Sequence, residues 1–493
     1  MSNPHIRIIG AGLSGLTASA LLAHSGYQVT ITEKHDRPGG VARVYQKDGY
    51  TFDMGPTWYL MPEIFDRLFA KLGRKRENYY QLYEVDPSYR VFFGPGEVEN
   101  VSTNVNANMK IFDKLEPAGG KKLKRYLDLC RKKYHRAVQY FLYRDYRSFG
   151  DFISLPLMFY GLSLDPFENL AHHVGKYFEN KRAQQILQFN TVFLGSSPDK
   201  TPALYSLMAH ADLTQGVFFP EGGMGTLVNT LYDICLTEGV KFEFENNVTG
   251  IKCSSKKAVG IDTEAGFREA DVIIGSADYH HIDTELLPRG CRNYSERYWN
   301  SRTIAPSCFL MYLGIKKKLP VLAHHNFSFS PVWEKHFDTI FTNPCWPDDP
   351  SYYIGCPSRT DFSLAPETGE TLFVLVPIAP GLEETEEIRE QFADKILSHI
   401  EDLIQTSIRD SIQVKKIFSG TEFKEMNNQF KGTALGLAHT LMQTAIFRPS
   451  HYSKKLSNFY YTGHFTQPGI GMPMQMIGAE MIQKLIKKRY PLK

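Results

Sequence analysis

The sequence predicts an α/β fold, and three observations carry that prediction. Residues 5–33 hold a strand, a glycine-rich turn, a helix and a second strand in close succession. Strand-like runs return after residue 238 and again near the C-terminus, which suggests a sheet assembled from distant parts of the chain. Between these parts lie helical and aromatic stretches long enough to require a second body with its own core.

The elements follow in order. Residues 5–10 (His-Ile-Arg-Ile-Ile-Gly) alternate and then run apolar, as a short buried strand does. Leu13 to His24 is an Ala/Leu-rich helix, Gly26-Tyr27 stops it, and Gln28 to Glu33 is a second strand. That is a βαβ unit in about 30 residues. Residues 108–150 read as helical and basic, with Lys121, Lys122, Lys124, Arg125 and Arg131-Lys132-Lys133; residues 151–215 read as helical and aromatic. Strands return over 238–275, ending in Asp271-Val-Ile-Ile-Gly-Ser-Ala-Asp278, and residues 306–316 and 371–379 read as sheet strands. Glu384–Ile408 is an acidic amphipathic helix. A strand at Asn458–Thr462, a Gly/Pro-rich turn through Pro473 and a helix from about Met474 to Lys488 close the chain. With no internal repeat and no low-complexity linker, the domains are expected to interleave.

Composition removes several classes. Hydrophobic residues at 42% and charged residues at 22% exclude disorder, collagen and long coiled coil. The 56 Lys and Arg against 53 Asp and Glu leave +3, too balanced for bulk nucleic-acid binding. An aromatic share of 13% fits a chain that lines large apolar surfaces. Seven dispersed cysteines without a Cys-x-x-Cys pair argue against a disulfide framework or zinc ribbon and for a reducing compartment. The first apolar run, Ile6 to Gly15, already carries a structural motif, so no signal peptide is expected. The longest uncharged apolar stretches, Phe152–Leu164 and Thr371–Leu382, are broken by Pro or Gly and fall short of the ~18 residues of a membrane span.

The motif that carries chemistry is Gly10-Ala11-Gly12-Leu13-Ser14-Gly15, with Glu33 eighteen residues after its last glycine and Lys34 beside it. In such a turn the first glycine permits the bend, the second lets a pyrophosphate approach the backbone, and the third lets the helix pack on the strand. The helix N-terminus turns its partial positive charge to the phosphates, and the acid accepts from the ribose hydroxyls. A tight turn that binds nothing is the bland alternative; strand, helix, second strand and acid in the right order favour a dinucleotide. Arg37-Pro38-Gly39-Gly40-Val41-Ala42-Arg43 then suits a loop wrapping a second face of the pyrophosphate, which points to FAD rather than a nicotinamide. The alternative there is a Pro-Gly-Gly turn with surface arginines.

The stretch from Ile8 to Pro62, with Gly39-Gly40, Lys47-Asp48-Gly49-Tyr50 and Phe52-Asp53-Met54-Gly55-Pro56-Thr57, resembles the bacterial carotenoid (phytoene and dehydrosqualene) desaturases of the flavin-containing amine oxidase-like superfamily. Gly222-Gly223-Met-Gly225-Thr-Leu, Ala277-Asp278 and Thr462-Gly463 to Pro473 continue the resemblance in the expected order, and Phe189–Ser206 and Phe309–Ile315 look like its shorter-chain branch. The resemblance implies a Rossmann-type FAD-binding domain assembled from 1–70, 216–285 and 440–493. A mixed-sheet and helical substrate domain then takes 71–215 and 286–439, with a helical membrane-facing part. It implies non-covalent FAD held by Gly10, Gly12, Gly15 and Glu33, with Gly39, Gly40 and Arg43 as the second phosphate loop. Gly55, Pro56 and Thr57 would pass the isoalloxazine, Val248 would offer its backbone to the adenine, and Gly463, Gly471 and Met472 would reach the flavin from the C-terminal side. Two positions depart from the pattern: Val41 stands where relatives place Arg, and Gln467 where they place His.

The implied activity is desaturation of an isoprenoid polyene. The flavin carries the difficult chemistry, so the protein needs a long apolar channel more than a set of titratable groups. No Gly-x-Ser-x-Gly, His-Glu-x-x-His or Cys/His cluster is present. The pairs His172-His173, His280-His281 and His324-His325 point their side chains apart and are expected to bind no metal. Asp53, His464 and Glu480 are the candidate bases beside the flavin motifs. Their bland readings are a turn acceptor, a strand-end residue and an exposed helix residue. A water-insoluble polyene must be collected from a bilayer. Residues 121–164 pair a basic stretch with Phe152-Ile-Ser-Leu-Pro-Leu-Met-Phe-Tyr-Gly-Leu, which reads either as an interfacial anchor on anionic lipid or as a solvated helix followed by core. The expectation is a cytoplasmic enzyme attached peripherally to the membrane surface, with quinone or oxygen as candidate electron acceptors. A carotenoid isomerase, a carotenoid-end oxidase, a retinol-saturase-like enzyme, an amine oxidase and a non-catalytic flavin or polyene carrier are the competing readings.

Overall fold

A computed structural model describes residues 3–152, 161 and 164–492. Five parallel strands form the first sheet, in the spatial order Phe459–Tyr461, Val272–Gly275, His5–Ile9, Gln28–Thr32 and Lys241–Glu243. Three distant parts of the chain therefore share one sheet. The helix Leu13–His24 is buried from Leu13 to Ala23 because its Leu, Ala, Ser, Thr and Gly residues give it no polar face to expose. It packs between the helices Met472–Arg489 and Gly225–Thr237. The C-terminal helix thus begins at Met472, with Pro473 in its first turn, two residues before the sequence-based start.

The second sheet has seven strands: Ile412–Phe418, Ser307–Ile315, Glu370–Ile378, Tyr352–Gly355, His325–Ser328, Tyr89–Gly94 and Glu97–Val101. It is antiparallel except where His325–Ser328 runs parallel to Tyr89–Gly94. The sequence identified two of these strands, and both are buried on their two faces. Phe309, Met311, Leu313 and Val374 pack under the helix Glu386–Ile404 through Phe392, Ile396 and Ile400. Their strand neighbours Cys308, Leu310, Phe373 and Leu375 point the other way and line a cavity. Alternation along two strands thus makes one sheet both a core layer and a cavity wall.

The basic region is less continuous than its sequence suggests. Helices Val105–Leu115 and Gly119–Arg136 are separated by Glu116 to Ala118, and a π-helical turn, Ala137–Phe141, follows the second. Residues 164–215 form short helices and turns rather than long ones. Most of the proposed aromatic anchor after Phe152 lies outside the described residues.

Candidate flavin site and apolar cavity

The turn after the first strand has the strain that the glycine motif implies. Gly10 has φ +99°, and a Cβ at Gly15 would lie 2.2 Å from the Gly10 carbonyl oxygen. Strand and helix are therefore in contact through bare backbone. Gly39, at φ +126°, donates its N–H to the Ala11 carbonyl at 2.9 Å, which lays the second loop directly on the first. The Glu33 carboxylate accepts from Ala11 N–H at 2.7 Å and from His35 N–H at 3.0 Å, so the acid is fixed at the end of its strand.

These elements open on one cavity of about 1110 Å³. Of the expected cofactor residues, Gly10, Gly12, Leu13, Ser14, Glu33, Lys34, Gly39, Gly40, Gly55, Pro56, Thr57, Val248, Gly463, Gly471 and Met472 line it. Ala11, Gly15 and Arg43 stand behind the wall. Ala11 and Gly15 are spent on backbone contacts, and the Arg43 Nε donates to the Gly40 carbonyl at 3.0 Å, where burial lowers the guanidinium's pKa. The Lys34 ammonium donates to the Glu425 carbonyl and to Asn428 Oδ1, both at 3.2 Å. With His35 Nε2 on the Met426 carbonyl at 2.7 Å, it fastens the end of the helix Gly420–Asn427 to the segment that follows the second strand. Two long helices, Leu13–His24 and Met472–Arg489, begin at the cavity and aim their N-terminal amides into it.

Sequence reasoning missed several lining residues. Gln475 accepts a hydrogen bond from the Ser14 hydroxyl and donates to the Gly469 carbonyl at 3.1 Å, joining the N-terminal motif to the C-terminal loop. No local pattern could indicate a partner 461 residues away. Ser276 and Ala277 follow the strand Val272–Gly275 and line the cavity. The rule that ligands sit at the carboxyl ends of parallel strands could have found them.

The three candidate bases have different fates. Asp53 does not line this cavity: its carboxylate accepts from Met224 and Gly225 N–H at 2.7 and 2.9 Å and caps the helix Gly225–Thr237. Burial raises its pKa to about 6, while those two amides oppose the shift. Glu480, expected on an exposed helix face in its bland reading, is instead fully buried and paired with Lys71 Nζ at 2.7 Å and Arg67 Nε at 3.3 Å. It locks the last helix to Pro62–Lys71, away from the cavity. His464 does line the cavity, and burial, reinforced by the nearby Arg448, lowers its pKa to about 4. Gln467, in the histidine position of the pattern, accepts from Tyr146 N–H at 2.9 Å and donates to the Tyr146 carbonyl at 2.8 Å. Both ends of its amide are occupied by the segment that carries the lining residues Phe141, Leu142 and Arg144.

A large part of the remaining wall is apolar and includes Trp58, Leu60, Phe193, Leu207, Leu310, Phe373 and Leu375. Among the described lining residues the carboxylates are Glu33 and Asp278, which follow the strands Gln28–Thr32 and Val272–Gly275 of the first sheet. Asp165, Glu168 and His173 converge elsewhere, but the Lys133 ammonium sits among them, 2.9 Å from Asp165 and 3.4 Å from His173 Nε2. A cation is thus already supplied by the chain. The cradle of close-packed glycines, two helix N-termini and an acid fixed at the end of the second strand fits FAD held non-covalently.

The chain's similarities agree with this geometry. It is 41% identical to the carotenoid 3,4-desaturase of Haloarcula japonica, over 97% of each chain. It is 32% identical to the zeta-carotene-forming phytoene desaturase of Myxococcus xanthus, over 97% of this chain and 92% of that one. It is 30% identical to the 4,4'-diapophytoene desaturase of Staphylococcus haemolyticus, over 97% of each. Among solved structures an oxidoreductase from Methanosarcina mazei matches with a TM-score of 0.65 at 14% identity, covering 97% of this chain and 100% of that one. Putrescine oxidase matches with a TM-score of 0.62 at 14% identity, over 99% of each chain. At that identity the structural matches establish the fold alone. The model for flavin containing amine oxidoreductases spans residues 13–477. With most of the chain under that model and full-length similarity to carotenoid desaturases, the chain belongs to the flavin-containing amine oxidoreductase family.

Proposed function

We infer that this protein is an FAD-dependent desaturase of an isoprenoid polyene, acting in carotenoid biosynthesis. The observation that supports it best is the single cavity that joins the flavin cradle to a long apolar wall. When bound, FAD supplies the two-electron oxidation of a C–H bond. The chain's residues do the rest. Leu310, Phe373 and Leu375 from the sheet, with Phe193 and Leu207 from the segment of short helices, exclude water and hold a hydrocarbon in line. An allylic cation is delocalised, so its proton leaves to a weak base. Burial keeps His464 and His439, which both line the cavity, neutral above about pH 4, and His464, on the C-terminal flavin side, is our candidate for that base. The amine-oxidase reading is disfavoured because the apolar end offers no carboxylate among its described residues to hold an ammonium group. The division into cofactor segments 1–70, 216–285 and 440–493 and substrate segments 71–215 and 286–439 belongs to the same reading, and which strands join which sheet supports it.

The test is anaerobic. FAD-loaded protein is mixed with liposomes carrying a colourless forty-carbon or thirty-carbon polyene and followed by absorption. Flavin bleaching with new longer-wavelength polyene bands is expected. A flavin that stays oxidised with both backbones rejects desaturation of these substrates and brings isomerisation of a coloured carotenoid forward. Re-oxidation by a quinone compared with oxygen then identifies the acceptor.

We further propose that the cavity mouth docks on a membrane surface. Phe167, Leu441 and Met442 line the cavity yet are 78%, 38% and 58% exposed. The helix Gly119–Arg136 carries exposed Lys121, Lys124, Arg125, Arg131 and Lys132 and runs into the lining turn at Ala137. Apolar residues at an opening beside a basic face suit anionic lipid. No described helix is long and apolar enough to cross a membrane. The triple variant Phe167→Glu, Leu441→Glu, Met442→Glu is expected to stop co-flotation with anionic liposomes while its FAD content and melting temperature stay those of wild type. Unchanged flotation would reject this mouth as the contact.

A further inference from the structure

Arg448 is a buried cation without an anion. It is 3% exposed, and among the described residues no carboxylate lies within ion-pair distance of it. Its Nη1 donates to the Gln443 carbonyl at 3.1 Å, and its Nη2 to the carbonyls of Leu437 at 3.2 Å and His464 at 2.7 Å. Its Nε is buried with no partner. Three carbonyl dipoles ease the desolvation of a guanidinium but supply no net charge, and an unpaired buried charge is strongly unfavourable. Burial lowers its pKa only to about 10, so the group stays cationic at neutral pH.

Its place in the fold indicates what the charge serves. His464 lines the cavity, and so do Met442 and Thr444 beside Gln443 and, two residues to either side of Leu437, Leu435 and His439. Arg448 therefore sits one residue layer behind the wall, where three lining segments meet beside the C-terminal flavin loop. Its field crosses that layer, since it is among the causes that hold His439 and His464 neutral.

We propose that Arg448 is the fixed counter-charge of the flavin end, stabilising the negative charge that the FAD ring carries once it has accepted two electrons and one proton. The balance is simple. The substrate loses two electrons and a proton with one C–H bond, the neighbouring carbon loses a second proton to a base or water, and a C=C bond forms. The oxidised ring is neutral and the singly protonated reduced ring is an anion, so a cation held in low dielectric favours the second over the first. Arg448 does not line the cavity and acts through the wall; it is an electrostatic residue, not a catalytic one. This rests on FAD being the cofactor.

The experiment is a midpoint-potential titration by dye equilibration on FAD-loaded wild type, Arg448→Lys and Arg448→Gln, with FAD content measured for each. The wild-type potential is expected above that of free FAD in the same buffer. Arg448→Gln should lower the two-electron reduction equilibrium at least tenfold, about 30 mV, and Arg448→Lys should stay within about threefold of wild type. An unchanged potential in Arg448→Gln overturns the proposal. So does an equal fall in both variants, because a mere fastener of the three segments loses its geometry in either. Should Arg448→Gln not load FAD, a wild-type potential at or below free FAD, or a tenfold fall in Arg448→Lys, overturns it on the remaining proteins. Wild type that binds no FAD would instead reject the cofactor.

Discussion

Gly15→Ala is expected to give a protein without FAD and with lowered thermal stability. Helix propensity predicts the opposite, because alanine in a helix interior is favoured over glycine by about 1 kcal/mol. Here the added Cβ would lie 2.2 Å from the Gly10 carbonyl oxygen, 3.3 Å from its carbon and 3.0 Å from Ser276 Oγ. The backbone that would have to move is held: Gly10 donates to the Thr32 carbonyl at 2.9 Å, and its own Cα leaves a side chain only 3.3 Å from Ala277 N. Relief therefore opens the strand–helix turn and turns the amides of the helix N-terminus away from the phosphates. Gly12→Ala is the matched control. Nothing lies within 4 Å of its Cβ, so the fold tolerates it, but Gly12 lines the cavity and a methyl there occupies the path of a pyrophosphate. Gly12→Ala should lose FAD and keep its melting temperature, whereas Gly15→Ala should lose both. The ratio of flavin to protein absorbance, read beside thermal melting, checks each; Gly15→Ala with a full complement of FAD would contradict this account.

What could be read from the sequence was what is local. The first 33 residues announce their turn because strand, glycines, helix and acid follow within one βαβ unit, and a Cβ at Gly10 or Gly15 would crowd backbone atoms while one at Gly12 would meet none. The strands Ser307–Ile315 and Glu370–Ile378 were legible because both faces are buried and the run is continuously apolar. Tyr89–Gly94, Glu97–Val101, His325–Ser328 and Tyr352–Gly355 were not, because short strands with polar members are decided by their neighbours across the sheet. Glu480 was misjudged for a related reason: a carboxylate on a helix reads as solvent-facing unless Lys71 and Arg67, some four hundred residues earlier, are known to meet it. Asp53 sits inside a flavin-facing motif by sequence and caps another helix in space. Proximity in a motif gives the segment's address, and side-chain direction gives the residue's use. The apolar cavity wall was foreseen only as a composition, since its members come from every part of the chain.

The FAD-loaded protein is expected to lose several kcal/mol of stability between pH 7 and pH 5. Burial lowers the pKa of His210, His280, His336 and His464 to about 4 and of His324 and His439 to about 3, and holds His325 well below its ordinary value. The folded state keeps these imidazoles neutral where the unfolded chain protonates them. Protons therefore bind the unfolded state more tightly as pH falls through about 6.5, and folding weakens by about 2 kcal/mol per such histidine at pH 5. Four buried acids act in the other direction, Asp283 among them. Burial raises Asp53 to about 6 and Asp212 and Asp278 to about 7, so their ionisation burdens the folded state at neutral pH and acid returns about 1–2 kcal/mol each. Seven histidines outweigh four acids, and the net loss is comparable with a typical folding free energy of about 5–15 kcal/mol. Urea midpoints at the two pH values test this; equal midpoints would contradict it. His336 isolates one contribution, because it lies away from the cavity with Nε2 on the Pro377 carbonyl at 2.7 Å and Nδ1 accepting Ser351 N–H at 3.1 Å. His336→Gln keeps one of those bonds and cannot titrate. It should be less stable than wild type at pH 7 by about 1 kcal/mol, yet its loss on going to pH 5 should be smaller by about 2 kcal/mol. The two stability curves should therefore cross between those pH values, which a hydrogen bond lost without any titration would not produce.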